Sequence, residues 1–274
     1  MAVARYPFLA STLLLTVACV WLSGCSSTDK NKETEKPVEE IYNTAAKQLE
    51  DGDYKASAKN FEEVERQYPY SQWATRAQLM AAYAQFQAQD FDSAITTLDR
   101  FIQLHPGNAD VAYAYYLRAL GYYQRITDVA RDQTFTREAE KALQDVTSRF
   151  PDSPYSRDAV AKLALVQDQL AGAEMEVGRY YLKQKIYNAA LSRFQNVVEK
   201  YQTTSHTPEA LHRMVECYLA LGIKPEAQAT AAVLGHNFPG SPWYQYSYNL
   251  LGGVNLTPAT TQQSWIGRIW RKVF

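Results

Sequence analysis

The chain has 274 residues, 46% of them apolar and 21% charged, with a formal charge of −1. This composition supports one or two packed domains and excludes wholesale disorder, and the near-neutral charge supplies no global field for nucleic acid or acidic lipid. Only 12 glycines against 36 alanines favour helix over many short strands, while the three cysteines, Cys19, Cys25 and Cys217, exclude a disulfide scaffold and any CxxC metal pattern.

The first element is a leader. Arg5 is the only charge before Asp29, and an apolar run follows it from Phe8 to Leu22. A positive end followed by an apolar stretch is the pattern of a secretory signal. Leu22-Ser23-Gly24-Cys25 resembles the lipobox of bacterial lipoproteins, which places cleavage before Cys25 and acyl chains on Cys25; the blander reading is an ordinary signal with a chance cysteine. Each buried CH₂ of an acyl chain contributes about 0.8 kcal/mol, and more than one chain is needed for lasting attachment. Ser26, where an aspartate would favour the inner membrane, points by the same resemblance to the outer one. Residues 25–38 alternate charged and polar side chains and read as a flexible tether. No later stretch is apolar enough to span a bilayer. Cys217, the remaining thiol, lies in an apolar helical pattern and reads as buried and inert.

From residue 39 to 252 the sequence repeats. Ser57, Phe61, Val64 and Pro69 recur as Ala94, Leu98, Phe101 and Pro106. They recur again as Ala139, Leu143, Val146 and Pro151, then as Ala190, Phe194, Val197 and Gln202, and finally as Ala227, Ala231, Leu234 and Pro239. Offsets of 4 and 3 keep the apolar residues on one helical face, and the proline stops the helix. Each such helix is preceded by another carrying small and aromatic residues, as in Gly178 and Tyr181 before Ala190, with turns at Gly52 and Gly222. Small, aromatic, glycine, alanine and proline positions in this order form the tetratricopeptide pattern. The expected fold is therefore all-α, a superhelix of about five repeats. Successive stops lie 37, 45, 51 and 37 residues apart, so material is inserted in the middle repeats.

Helices are expected near 39–50, 54–67, 71–88, 91–104, 108–126, 135–149, 155–184, 187–201, 207–221 and 224–237. The polar stretch 127–134 reads as an inserted loop. The element at 155–184 is either one long rod or two helices breaking near Gly172. After a linker, residues 265–274 form a short amphipathic helix. Trp265, Ile266, Ile269, Trp270 and Val273 share one side, and Arg268, Arg271 and Lys272 share another. That helix either lies on anionic headgroups or caps the last repeat.

No chemistry-bearing constellation appears. His105, His206, His212 and His236 form no close metal set, and HExxH, GxGxxG, the P-loop and GxSxG are all missing. The chain reads as a non-enzyme with no cofactor beyond a lipid on Cys25. In this repeat class the first helix of each pair lines the concave face. That register brings Tyr42, Tyr83, Phe86, Tyr113, Tyr116 and Tyr123 to one groove, where tyrosine offers wide contact area at small entropic cost. Such a groove suits an extended peptide with aromatic residues; the alternative is that several of these rings pack between helices.

A family resemblance follows from longer motifs. Leu98-Asp99-Arg100-Phe101-Ile102-Gln103-Leu104-His105-Pro106, Glu40-Ile41-Tyr42 with Gly52-Asp53, Arg66-Gln67-Tyr68-Pro69, and Arg149-Phe150-Pro151-Asp152-Ser153 together resemble the BamD (ComL-like) family. These are outer-membrane lipoproteins of the β-barrel assembly machinery, and the likeness runs from about residue 22 to 240. It implies a lipid-anchored scaffold on the periplasmic face of the outer membrane. Its partners would be the POTRA domains of BamA, other assembly lipoproteins, and unfolded barrel proteins ending in an aromatic β-signal. Arg193 matches a family arginine implicated in BamA docking, and Tyr68 and Tyr181 match tyrosines linked to client or BamA contact. The Trp-rich tail departs from the family pattern. Another lipid-anchored repeat adaptor, such as a secretin or pilus pilotin, is the alternative.

Overall fold

The computed structural model describes residues 36–252 and 264–270. The leader, Cys25 and most of the tether lie outside the described residues, as do Arg271 and the side chains of Trp265 and Trp270. Twelve helices and no strands occur among the described residues. They are α1 (Val38–Glu50), α2 (Tyr54–Gln67), α3 (Gln72–Gln87), α4 (Phe91–Leu104), α5 (Val111–Tyr123), α6 (Thr134–Arg149), α7 (Ser156–Lys183), α8 (Tyr187–Lys200), α9 (Thr207–Ala220), α10 (Lys224–Asn237), α11 (Pro242–Leu250) and α12 (Trp265–Trp270). Each helix from α1 to α10 packs on the next, and α1 on α3 and α3 on α5. This is the zigzag of a tetratricopeptide superhelix, five pairs from α1–α2 to α9–α10.

The repeat survives in backbone detail. The second helices end at Tyr68, His105, Phe150, Tyr201 and Phe238, with φ between −128° and −133° and ψ between 40° and 55°. In each, the N–H of that residue donates to the carbonyl four residues back, on Val64, Phe101, Val146, Val197 and Leu234. A following proline disfavours helical torsions at the residue before it, which enforces the stop. Gln202 replaces proline in the fourth repeat without changing the torsions, so local packing also holds this turn. Four pairs close through a residue with positive φ: Gly52, Gln89, Lys185 and Gly222. The third pair closes instead through the connection at 124–133.

The sequence-aligned core positions coincide in space. Ser57, Phe61, Val64 and their counterparts in the other four repeats are all no more than 1% exposed. The buried Ser57 hydroxyl donates to the Ala45 carbonyl at 2.9 Å, which satisfies its polar group inside the core. First and second helices approach closely where a glycine leaves room. A Cβ on Gly178 would lie 2.4 Å from Cε1 of Phe194.

The helix α7 is unbroken. Its 28 residues make a rod of about 42 Å at 1.5 Å per residue. Ala159, Val166 and Leu170 pack with α5 and α6, whereas Ala171 and Met175 join the core built by α8, α9 and α10. The rod thus belongs to two core clusters and ties the halves of the array together. Gly172 does not break it; there Val129 and His206 come close to the helix, 3.3 and 3.1 Å from where a Cβ would stand. The 124–133 connection is ordered by side chains. The Gln133 amide donates to the carbonyls of Asp128 and Arg131, both at 3.0 Å, and the Gln169 amide to that of Thr127 at 2.7 Å.

Most helix limits fall within two residues of the sequence expectation. The exception is α5, three residues shorter at each end; at its start the Asp110 N–H donates to Asn108 Oδ1 at 2.8 Å in a turn that delays the helix. A helix not expected from the sequence, α11, packs on α9 and α10. Gly235 admits Tyr244 there, 2.4 Å from the place of a Cβ. The tail helix α12 packs on α10, with Ile266 fully buried in the last core cluster and Arg268 exposed. The apolar side at Ile266 therefore faces protein, which favours the capping alternative over a headgroup-lying helix.

Candidate peptide-binding surface

The first helices of repeats two, three and four, α3, α5 and α7, bring a run of rings together. Tyr83 accepts a hydrogen bond from the Gln87 amide at 2.6 Å, and Phe86 meets Phe91 edge-on with centroids 5.4 Å apart. Tyr113 lies 5.4 Å from Tyr155, and Tyr116 stacks on Tyr155 at 5.2 Å and 19°. The Tyr116 hydroxyl donates to Asp158 at 2.5 Å, and Asp158 accepts from Lys162 at 2.7 Å. The Lys162 ammonium stands 5.9 Å from the Tyr123 ring centroid, within cation–π range. All these rings are half-buried: held in place by neighbours, yet with one side open.

Two of the hydroxyls, on Tyr113 and Tyr116, are held neutral. Burial pushes the Tyr113 hydroxyl up to about 12. Burial, and then the bond to Asp158, also raise that of Tyr116. Asp158 is held below the usual carboxylate range, first by Lys162 and then by Tyr116. The surface is thus an array of amphipathic rings beside one carboxylate–ammonium pair, in which the Tyr116 proton is already donated to Asp158 and the Tyr113 hydroxyl keeps its own. It is chemically equipped to hold a polypeptide through ring contact and main-chain hydrogen bonds. Among the described residues no cluster of histidine, cysteine or carboxylate side chains could hold a metal ion.

The other residues singled out from the sequence are placed differently. Tyr42 does not line an open face. It is 7% exposed, with Phe61 edge-on at 5.2 Å and Trp73 at 4.7 Å, so it is a packing residue of the first core cluster. Tyr68 is half-buried at the end of α2 and packs on that same cluster. Tyr181 packs on the last core cluster, its ring edge-on to the exposed Tyr180 at 5.6 Å. Arg193 reaches from α8 to Glu174 on α7 at 3.3 Å and is 41% exposed, so part of its guanidinium surface is open. Asn196 donates to the same Glu174 at 3.2 Å. Tyr155, whose ring contacts both Tyr113 and Tyr116, was not singled out from the sequence. It follows the turn-like run Pro151-Asp152-Ser153-Pro154 and, although the sequence places a helix from about 155, stands as the residue just before α7, ahead of the positions that the repeat register turns toward the groove.

Residues 34–234 match a family described as an outer membrane lipoprotein, YfiO. Curated relatives named outer membrane protein assembly factor BamD are similar along most of their length. The Caulobacter vibrioides protein is 46% identical over 91% of this chain and 83% of its own. That of Rickettsia prowazekii is 43% identical over 87% and 94%, and that of Neisseria meningitidis serogroup A 34% over 86% and 94%. Among solved structures, a tetratricopeptide-repeat protein of Thermus thermophilus is 17% identical over 80% of this chain and all of that one, with a TM-score of 0.35. With the family model spanning most of the chain and relatives this close, the protein belongs to the outer membrane lipoprotein family YfiO, the family of the BamD assembly factors.

Proposed function

We propose that this chain is a non-enzymatic outer-membrane protein assembly factor, anchored through a lipid on Cys25 at the periplasmic face of the outer membrane. Its work is to hold polypeptides. The amino-terminal and middle repeats take the aromatic-ended carboxy-terminal β-signal of unfolded barrel proteins. The carboxy-terminal repeats, with Arg193 and Tyr181, dock on the POTRA domains of BamA. The names of its relatives support the assembly role, and the tyrosine run from Tyr83 through Tyr113, Tyr155 and Tyr116 to Tyr123 is the observation that carries the client-binding reading. Tyr42 is removed from that surface by its burial.

Photocrosslinking of a β-signal peptide to the purified protein tests the reading. Tyr113→Ala with Tyr116→Ala is expected to cut crosslinking several-fold while circular dichroism stays helical. Tyr116→Phe, which keeps the stacked ring and loses only the bond to Asp158, should retain most of it. Equal crosslinking by the alanine pair would show that these rings only pack helices together.

A further inference from the structure

The turns that join first to second helices lie along one edge of the array, and they change character from one end to the other. In repeats one and two the turn ends on Asp53 or Asp90, whose carboxylate accepts the N–H of Ala56 or Ser93 at 3.3 Å. In repeats four and five the same place holds Ile186 and Ile223, with no side-chain cap. The backbones are equivalent: φ and ψ are −83° and 69° at Asp53, −86° and 71° at Asp90, −89° and 68° at Ile186, and −91° and 66° at Ile223. The local geometry invites a capping aspartate, which stabilises a helix start as an aliphatic side chain cannot. The chain instead displays two β-branched residues, 50% and 42% exposed.

Charge changes with them. The first two turns carry Glu50, Asp51, Asp53, Asp90 and Asp92 against the single Lys55, whereas the last two carry Lys183, Lys185 and Lys224, all exposed, against the half-buried Glu226. None of these lysines forms an ion pair among the described residues. One and two helical turns before Lys183, the exposed Tyr180 and Val177 border a cleft of about 460 Å³; Val129 and Ala130 of the 124–133 connection also line it, together with the charged Arg131, Asp132, Arg137, Glu174 and Glu176. Two exposed isoleucines at equivalent turns, a cleft walled by Val177 and Tyr180, and cations without an ion pair make a surface suited to being covered.

We propose that this edge of repeats four and five docks a folded acidic protein domain. Carboxylates of that domain meet Lys183, Lys185 and Lys224, and an apolar ridge covers Ile186 and Ile223 and enters the Val177–Tyr180 cleft. The cleft favours a protein over a membrane, because a plane of headgroups has no ridge to fill it. A second copy of this chain fits less well, since its acidic turns carry no exposed large apolar side chain among the described residues. The inference rests on the reading that the carboxy-terminal repeats dock BamA, and it names where and by what chemistry.

The test uses the full lipidated chain in detergent and, as probe, the purified POTRA array of BamA from the same cell. Ile186→Asp with Ile223→Asp restores the caps of repeats one and two, so fold and docking should move in opposite directions. The melting temperature is expected to rise by about 2–4 °C per site, while affinity falls at least tenfold. The serine pair, which also caps but adds no charge, should give the same result. Lys183→Glu, Lys185→Glu and Lys224→Glu together should weaken binding and flatten its salt dependence.

Binding within twofold of wild type for both capped pairs overturns the edge; if Arg193→Glu abolishes binding at the same time, the BamA docking reading stands without it. A wild-type chain that does not bind the array overturns both. Capture of phosphatidylglycerol vesicles that the aspartate pair abolishes would make the edge a membrane face. Self-association that the pair abolishes would make it a contact between copies. Either result overturns a protein partner of this chemistry.

Discussion

Replacing Gly178 by alanine isolates the close approach on which the repeat stack depends. The added methyl would stand 2.4 Å from Cε1 and 2.9 Å from both Cδ1 and Cζ of Phe194, where carbon atoms prefer about 3.5–4.0 Å. Phe194 is fully buried in the last core cluster, so its ring has no open side to swing toward. Two effects oppose each other. Alanine in a helix interior gains about 1 kcal/mol over glycine, whereas overpacking a tight core costs about 1–3 kcal/mol. With three ring atoms inside contact distance the steric term wins, and a net loss of about 1–2 kcal/mol is expected. At about 2–4 °C per kcal/mol for a domain of this size, Gly178→Ala should melt about 2–8 °C below wild type by circular dichroism. Phe194→Leu should recover part of the loss in the alanine background, a coupling that a double-mutant cycle reads directly. A Gly178→Ala chain that melts at or above wild type would show that helix propensity alone governs this position, and that α7 and α8 do not depend on the gap.

Two further outcomes follow from buried titratable groups. Burial pushes the Cys217 thiol up to about 12, so it should resist a thiol reagent at pH 8 in the folded chain and react once denaturant is added; fast labelling of the native chain would place it on an open surface. His212 is held below its ordinary value, chiefly by burial against Trp243 and Tyr246, although Glu216, 3.6 Å away, opposes this. The unfolded chain takes up that proton near pH 6.5 and the fold resists it, so stability should decline as pH falls from about 7 to 5, by at most about 1.4 kcal/mol per pH unit from this group. His212→Asn should flatten that part of the urea-unfolding profile, and an unchanged slope would assign the decline elsewhere.

The core was legible in the sequence because a repeat fixes one helical face five times over. Ser57, Phe61 and Val64 and their counterparts could be aligned by offsets alone, and each lies in the interior. Register says which side of a helix a residue occupies, but not what the next helix lays over it. Tyr42 holds a groove position by register and is buried because Trp73, at the start of α3, covers it. Tyr155 completes the aromatic run from the cap position of α7, one residue ahead of a helix that extends the usual repeat toward α5 and α6. The helix α11, Pro242-Trp243-Tyr244-Gln245-Tyr246-Ser247-Tyr248-Asn249-Leu250, has rings on several sides and hence no clean period to read. Its docking depends on Gly235 leaving room for Tyr244 and on the 2.9 Å bond between His212 and Ser247. The exchange of capping aspartate for isoleucine is visible in the sequence only once equivalent turn torsions show that the four positions are the same place.

The central claim, a lipid-anchored repeat scaffold that grips barrel-assembly partners, is tested most directly by affinity purification of the tagged full chain from detergent-solubilised envelope, with the bound proteins identified by mass spectrometry. The account predicts stoichiometric recovery of BamA, with Arg193→Glu reducing it at least severalfold while the helical spectrum is retained. Recovery of a secretin or of pilus subunits in place of BamA would contradict it.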